Sequence, residues 1–227
     1  MNNKIKLVLT LATGMYFFSG CNDGTSTTHN MQDSSGHNMD SMSNNNMQGM
    51  DKPMDTGMMS SMMGMHNSMK EMKMSGDFDY DFANMMMAHH QGAIDMAQME
   101  ISKGSNTEIK SVAEDIVKAQ QAEIEQFKNI LKDYKMPGMK KEGVEAHNEL
   151  AEVMDKMDAA MKGITMSGNA DKDFLMMMIP HHEAAVKMAE DEISHGKNLA
   201  LKKMAQKIIE DQTKEIRQFR DLLAKNK

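Results

Sequence analysis

Two long segments of the chain each end in a stretch in which apolar residues recur at helical spacing. Most steps between them are three or four residues, which is the spacing of one face of an α-helix. In the first segment they are Ile109, Val112, Ile116, Ile124, Phe127, Leu131 and Tyr134. β-branched runs and Asn-Gly or Asp-Gly turns between apolar stretches are missing, so strands are not expected. The pattern predicts an all-α fold.

The chain also repeats itself at an offset of 92 residues, without a gap. The first copy reads Asp81-Phe82-x-x-Met85-Met86-x-x-His89-His90, and the second reads Asp173-Phe174-x-x-Met177-Met178-x-x-His181-His182. The match extends from Met62 and Met154 to Phe127 and Phe219. An ungapped match of this length indicates one structural unit used twice.

Each unit is predicted to hold a shorter Met-bearing helix, a His-His helix and a long amphipathic helix. The two pairs of long helices, about 25 residues each, should form a four-helix bundle. The Met-bearing helices should pack at its end or side. Ser105-x-x-Glu108 has the form of a capping box, so the long amphipathic helix of the first unit is expected to begin there.

The first residues predict export. A basic start precedes an apolar run from Leu7 to Phe18 that is too short for a membrane span, as in a secretory signal. Phe18-Ser19-Gly20-Cys21 resembles a bacterial lipoprotein box, and Cys21 is the only cysteine, so Cys21 is the predicted lipidation site. The alternative is an ordinary signal peptide with an incidental cysteine.

The predicted domain organisation follows from these features. A lipoprotein signal peptide occupies 1–20, and a disordered tether rich in Met, His, Asn and Ser occupies 21–57. The first helical repeat covers 58–135, the linker and start of the second repeat cover 136–150, and the second repeat covers 151–227. The tether is expected to collect soft metal ions as well as to connect the lipid to the helices.

Charge limits the expected partners. Acidic residues outnumber basic ones, 33 to 26, and the mature part has no basic cluster, so nucleic-acid binding is not expected. Membrane contact is expected through the lipid anchor only. The protein should be exported and anchored at the periplasmic side or the cell surface. The polar Asn22 after Cys21 favours the outer membrane.

The His-His helices carry the candidate chemistry. At 100° per residue, imidazoles and thioethers fall on one broad stripe that must also face the bundle core. The predicted metal ligands are Met85, Met86, His89, His90 and Met96 in the first unit, and Met177, Met178, His181, His182 and Met188 in the second. The alternative for His89 and His181 is a core histidine whose nitrogens are satisfied by Glu100, Glu192 or backbone.

Thioether sulfur is neutral and polarizable, so it suits Cu(I) and suits Mg²⁺ or Ca²⁺ poorly. It binds without releasing a proton, whereas a thiolate must first be deprotonated. Imidazole binds both Cu(I) and Cu(II). With 32 methionines and no thiol left after lipidation, the sequence predicts copper as the bound metal, with Cu(I) favoured and Cu(II) also compatible.

These residues resemble the bacterial domain-of-unknown-function family 305. The motif is an Asp-x-x-Phe entry followed by Met-x-x-His-His-x-x-Ala-x-x-Met-Ala, and it is present at 79–97 and again at 171–189. The resemblance implies a ferritin-like helical bundle that is exported, and some members are known as copper binders in resistance or homeostasis. The family pattern says little about enzymatic activity, so none is inferred from the resemblance.

Three functions are therefore compared. The first is a non-enzymatic lipoprotein that sequesters copper or passes it to copper-transport proteins. The second is a ferritin-like dinuclear-metal oxidase, although Gln120-x-x-Glu123 and Gln212-x-x-Glu215 lack the histidine of a Glu-x-x-His site. The third is a structural or partner-binding bundle with a Met-rich surface. The sequence leaves open whether the two His-His sites are separate or merge.

Overall fold

The computed structural model describes residues 57–136 and 143–226. The chain divides into Met1–Gln48, none of which is described, and Gly49–Lys227, which contains all the described residues. The signal peptide, Cys21 and the Met- and His-rich tether before Gly57 therefore lie outside the described residues, and those predictions remain predictions.

The described residues form six α-helices and no strand, which confirms the all-α prediction. The helices are α1 (Met58–Lys70), α2 (Phe78–Lys103), α3 (Thr107–Lys132), α4 (Gly143–Lys162), α5 (Ala170–His195) and α6 (Leu199–Lys225). The start of α4 falls inside the segment assigned to the linker and the start of the second repeat. Within 57–136 and 143–226, no helix is both long enough and apolar enough to cross a membrane.

The two His-His helices lie at the centre of the arrangement. α2 packs against α3, α5 packs against α6, and α2 and α5 also contact each other directly. α1 rests on α2, and α4 rests on α5. Because α2 and α5 are covered by other helices on several sides, their methionines and histidines are inside the core. A stripe that faces this core is removed from water along its whole length.

The amphipathic helices begin with asparagine caps. The Asn106 side chain accepts hydrogen bonds from the backbone N–H groups of Glu108 and Ile109, and Asn198 does the same at the start of α6. An N-cap oxygen satisfies N–H groups that lack a partner within the helix. The predicted capping box at Ser105 is therefore wrong, because Ser105 is bound instead by a carboxylate from the other half of the molecule.

That carboxylate belongs to one of two reciprocal contacts between the halves. Asp171, at the start of α5, accepts hydrogen bonds from the backbone N–H groups of Ser105 and Asn106, at 3.0 and 2.8 Å. Asp79, at the start of α2, accepts from Lys197 and Asn198 at 2.9 and 2.8 Å. Charge-assisted hydrogen bonds of this kind are stronger than neutral ones. Each His-His helix is thus fixed to the loop that precedes the opposite amphipathic helix.

The second aspartate of each motif holds its own loop. Asp81 accepts hydrogen bonds from the N–H groups of Ser75 and Gly76, and Asp173 accepts from those of Ser167 and Gly168. Both glycines have positive φ, 85° and 79°, a conformation that glycine adopts without steric cost. The Asp-x-Asp spacing therefore positions the beginning of each His-His helix through one local and one cross-repeat contact.

Candidate metal centre

His89 of α2 and His181 of α5 meet at the interface between the two helices. Their ring centroids are 3.6 Å apart, and neither residue is exposed to solvent. All four ring nitrogens are buried without a hydrogen-bond partner. Buried polar groups are normally hydrogen-bonded, so an unpartnered set of this size requires an explanation. The structure therefore brings the two copies of the motif together at one point.

Burial sets the protonation state of this pair. It lowers the pKa of both imidazoles well below the ordinary value, and the neighbouring histidines lower it further. For His181 the backbone of His89 acts in the opposite direction and raises the pKa slightly, although it forms no hydrogen bond with the ring. Both rings are therefore neutral at physiological pH. The neutral imidazole is the form that offers a lone pair to a metal.

The neighbouring histidines are held by carboxylates. His90 Nε2 lies 3.0 Å from Glu123 Oε2 on α3, and His182 Nε2 lies 2.8 Å from Glu215 Oε2 on α6. Phe127 packs edge-on against His90, and Phe219 packs in the same way against His182. These contacts orient both rings.

This orientation also fixes the tautomer. A carboxylate accepts, so Nε2–H is the donor and Nδ1 carries the lone pair, and Nδ1 of both His90 and His182 is buried without a partner. For Glu123, burial would raise the pKa, but hydrogen bonds from His90 and Lys207 outweigh it and the pKa is lowered. Metal-binding histidines usually donate the N–H of their other ring nitrogen to a carboxylate in this way, which orients the ring and makes its lone pair more basic. His90 and His182 therefore have the form of oriented ligands.

The predicted methionines accompany the histidines on the same helix faces. Met85 and Met177 lie four residues before His89 and His181, a separation that places side chains on the same side of a helix. All six are buried, none more than 4% exposed: Met85, Met86, Met96, Met177, Met178 and Met188. Within the described ranges, no group of three or more His, Cys, Asp or Glu side chains is arranged to hold a metal ion. The other soft donors on these helix faces are the thioethers of the six buried methionines.

Glu100 and Glu192 do not serve the histidines. Glu100 lies near the end of α2 beside Asp171, and Glu192 lies near the end of α5 beside Asp79. Burial is the main cause that raises the pKa of the two glutamates, to about 8 and about 9, and the neighbouring aspartates raise it further. The interpretation of His89 and His181 as core histidines satisfied by these glutamates is therefore wrong. The two glutamates are protonated at neutral pH.

The metal site predicted from the sequence did not include side chains of α3 and α6. Gln120 and Gln212 are 3% exposed, and their amide atoms have no partner. With Glu123 and Glu215 they line a cavity of about 200 Å³. The duplication contained the signal, because all four residues match across the repeats. Lys207 breaks the symmetry, since its amine lies 2.9 Å from Glu123 Oε1 while its counterpart at position 115 is an aspartate.

This combination defines an all-α protein with a duplicated, buried His/Met centre. The family model described as "Domain of unknown function (DUF305)" matches residues 22–131 and 79–223. The chain belongs to this family.

Several solved structures are similar to this chain, and one of them, with a TM-score above 0.5, supports the helical fold. A putative secreted DUF305 protein from Streptomyces coelicolor is 25% identical, with a TM-score of 0.52, covering 67% of this chain and 95% of that one. CopM in its Cu(II)-bound form is 31% identical, with a TM-score of 0.49, covering 66% and 97%. CopM in its Cu(I)-bound form is 29% identical, with a TM-score of 0.48, covering 65% and 96%. Among curated proteins, none matches.

Proposed function

We propose that this protein binds copper, with Cu(I) favoured, at the paired imidazoles of His89 and His181 and the thioethers beside them. The observation that carries the proposal is the meeting of two neutral imidazoles in a dry interior with all four nitrogens unpartnered. Leaving buried polar groups unpaired costs about 1–3 kcal/mol each. A bound metal ion would offset part of that cost by accepting the one lone pair that each neutral ring offers.

The donor set selects the metal. Neutral nitrogen and sulfur donors suit a soft monovalent ion, because the interior then has to accommodate only one unit of charge. Mg²⁺ and Ca²⁺ prefer carboxylate and carbonyl oxygens, and the carboxylates of Glu123 and Glu215 are already hydrogen-bonded to His90 and His182. Imidazole also accepts Cu(II), so oxidation state is a quantity for experiment. CopM was solved in a Cu(I)-bound form, 29% identical to this chain, and in a Cu(II)-bound form, 31% identical, which supports copper here.

The biological role we infer is non-enzymatic copper homeostasis or resistance outside the cytoplasm. The predicted signal peptide and lipidation of Cys21 would anchor the protein at the periplasmic side of a membrane or at the cell surface, with the outer membrane favoured. The Met- and His-rich tether would collect copper near the lipid. The helical part would sequester that copper or hand it to copper-transport proteins.

The test is a competition titration with a chromogenic Cu(I) chelator on the full chain and on a His89→Ala/His181→Ala variant. Removing both imidazoles is expected to weaken the tightest site by at least about a hundredfold, since even outer-shell changes cost 10–100-fold. His195→Ala is the matched control, because His195 is partly exposed and paired with Glu149 at 2.9 Å. Equal affinity in all three proteins would refute the proposal.

The oxidase alternative has its own measurement. His90 and Glu123, and likewise His182 and Glu215, come from different helices, so each half supplies one His–Glu pair rather than the Glu-x-x-His of a di-iron site. Oxygen consumption on addition of Fe(II), abolished by Glu123→Gln/Glu215→Gln, would favour the oxidase. Copper binding without oxygen consumption favours the proposal.

A further inference from the structure

A second group of thioethers lies around a cavity beside the histidine pair. The cavity has a volume of about 250 Å³ and is formed by the end of α1, the segment after it, α2 and the first half of α4. The thioether and imidazole donors in its wall are His66, Met69, Met72, Met74, Met85 and Met154. Asn148, Lys70 and Asp155 also line it, and the last two form an exposed ion pair at 3.5 Å. None of the thioether and imidazole donors except Met85 belongs to the ligand set predicted from the sequence.

His66 gives this cavity a donor without a partner. The residue is 6% exposed, and its Nδ1 is buried with no hydrogen bond. Its Nε2 lies 3.8 Å from Asp158 Oδ2, which is beyond hydrogen-bond distance, and that carboxylate is bound at 2.6 Å by Lys162. Leaving a buried ring nitrogen unpaired is costly, as at the histidine pair.

The thioethers around the cavity range from exposed to buried. Met74 is 38% exposed, Met72 is half-buried, and Met69, Met85 and Met154 are buried. An ion entering at Met74 would exchange water for sulfur progressively. Because every donor in the series is neutral, the ion would keep its charge throughout and no proton would need to leave.

Met85 joins this cavity to the histidine pair. It lines the cavity, and it lies four residues before His89 on α2, so both side chains are on the same side of that helix. A single thioether therefore belongs to the inner wall of the cavity and to the immediate surroundings of His89.

We propose that this cavity is an access site, which binds a soft monovalent cation through Met69, Met72, Met74 and His66 Nδ1 and delivers it by way of Met85 to His89 and His181. The delivery step rests on the proposed function, because it requires the histidine pair to be the final copper site. Binding in the cavity does not. The chemistry of the donors fits Cu(I) and Ag(I) equally, and excludes hard cations such as Mg²⁺.

The second repeat offers a natural comparison, because its donors differ at two positions. Asp158 stands where the first repeat has His66, and Ile164 stands where it has Met72. Met161 and Met166 correspond to Met69 and Met74. Replacing Met161 and Met166 by leucine therefore removes two methionines from the matching positions of the second repeat and leaves the access site unchanged.

The experiment uses the full chain labelled with ¹³C-methyl methionine and titrated with Ag(I). Signals lost in a Met69→Leu/Met72→Leu/Met74→Leu variant belong to the cavity. These signals are expected to shift with Ag(I) in the wild type and equally in His89→Ala/His181→Ala, which lacks the pair. Cavity signals that stay unshifted when all other sites are saturated would overturn the proposal. A Met72→Leu/Met74→Leu variant, which changes only the less buried residues, gives the assignment if the triple variant does not fold.

Delivery is tested by the rate at which Cu(I) loads the pair, followed by stopped-flow after mixing with a Cu(I)–chelator complex. The triple variant is expected to load at least about tenfold more slowly, in line with the loss of metal-binding groups, while Met161→Leu/Met166→Leu loads at the wild-type rate. Equal rates in all three would overturn delivery through the cavity. Failure of the proposed function has a different signature, which is unchanged Cu(I) affinity in His89→Ala/His181→Ala whatever the cavity signals do.

Discussion

Replacing His89 and His181 together by leucine is expected to stabilise the metal-free protein and to abolish its tight copper site. Each neutral imidazole has one donor and one acceptor nitrogen, so the pair leaves four buried polar groups unpaired. At the lower limit of about 1 kcal/mol per group, their removal gains about 4 kcal/mol. A change of side-chain shape in a close-packed interior costs less than about 1.5 kcal/mol per site. Two sites can cost up to about 3 kcal/mol together, so the net expectation is a gain of at least about 1 kcal/mol.

The assay is urea and thermal unfolding of the metal-free full chain in the presence of a chelator. For a domain of this size, about 1 kcal/mol corresponds to a rise in Tm of about 2–4 °C. The matched control is His90→Leu, because that ring is hydrogen-bonded to Glu123. Its loss leaves a buried carboxylate without one partner and is expected to destabilise by about 1.5–3 kcal/mol. Destabilisation of equal size in both proteins would refute the conclusion that the pair is unsatisfied without metal.

Three further predictions use other parts of the molecule. Met96→Leu/Met188→Leu is expected to unfold like the wild type while binding Cu(I) more weakly in the chelator competition, and an unchanged affinity would limit these residues to packing. Asp171→Ala is expected to lower the free energy of unfolding by about 2–3 kcal/mol in urea titrations, because it removes charge-assisted hydrogen bonds to the loop before α3. A loss below about 0.5 kcal/mol, as at ordinary surface sites, would contradict that role of Asp171. The folded protein holds a proton on Glu100 and on Glu192 over a pH range in which the unfolded chain has lost both. That range runs from the unfolded pKa of 4.5 to the folded pKa of about 8 for Glu100 and about 9 for Glu192, and within it the free energy of unfolding falls as the pH rises. Glu100→Gln/Glu192→Gln is expected to flatten this fall in unfolding measurements from pH 5 to 10, and an unchanged slope would show that other groups cause it.

The histidine pair gives a pH dependence of the opposite sign. Its pKa is lowered in the folded state, so below the ordinary value of 6.5 the unfolded chain gains protons that the folded protein does not. Stability contributed by this pair is present above pH 6.5 and is lost as the pH falls. Copper should be released over the same acidic range, because protonation competes with the metal for the same lone pairs.

Local patterns in the sequence were sufficient to predict the helices. The spacing of Ile109, Val112 and Ile116 indicates one buried helix face, and that face is buried in α3. The helical stripe of imidazoles and thioethers also lies in the core as predicted, because hydrophobic periodicity and side-chain burial are both consequences of the same 3.6-residue turn. The start of α3 was predicted wrongly because Ser105 is bound by Asp171, which is 66 residues away and cannot be recognised from local pattern.

The sequence by itself determined the duplication, the all-α architecture and the kind of donor atoms, because these depend on residue type and on spacing along the chain. Only the tertiary structure decided that the two copies merge at His89 and His181. It also separated these two rings from His90 and His182, since the carboxylates that hold the latter come from α3 and α6. The cavity around His66 likewise needs α1, α2 and α4 to come together. Contacts between helices depend on how whole faces pack, and no local spacing encodes which faces will meet.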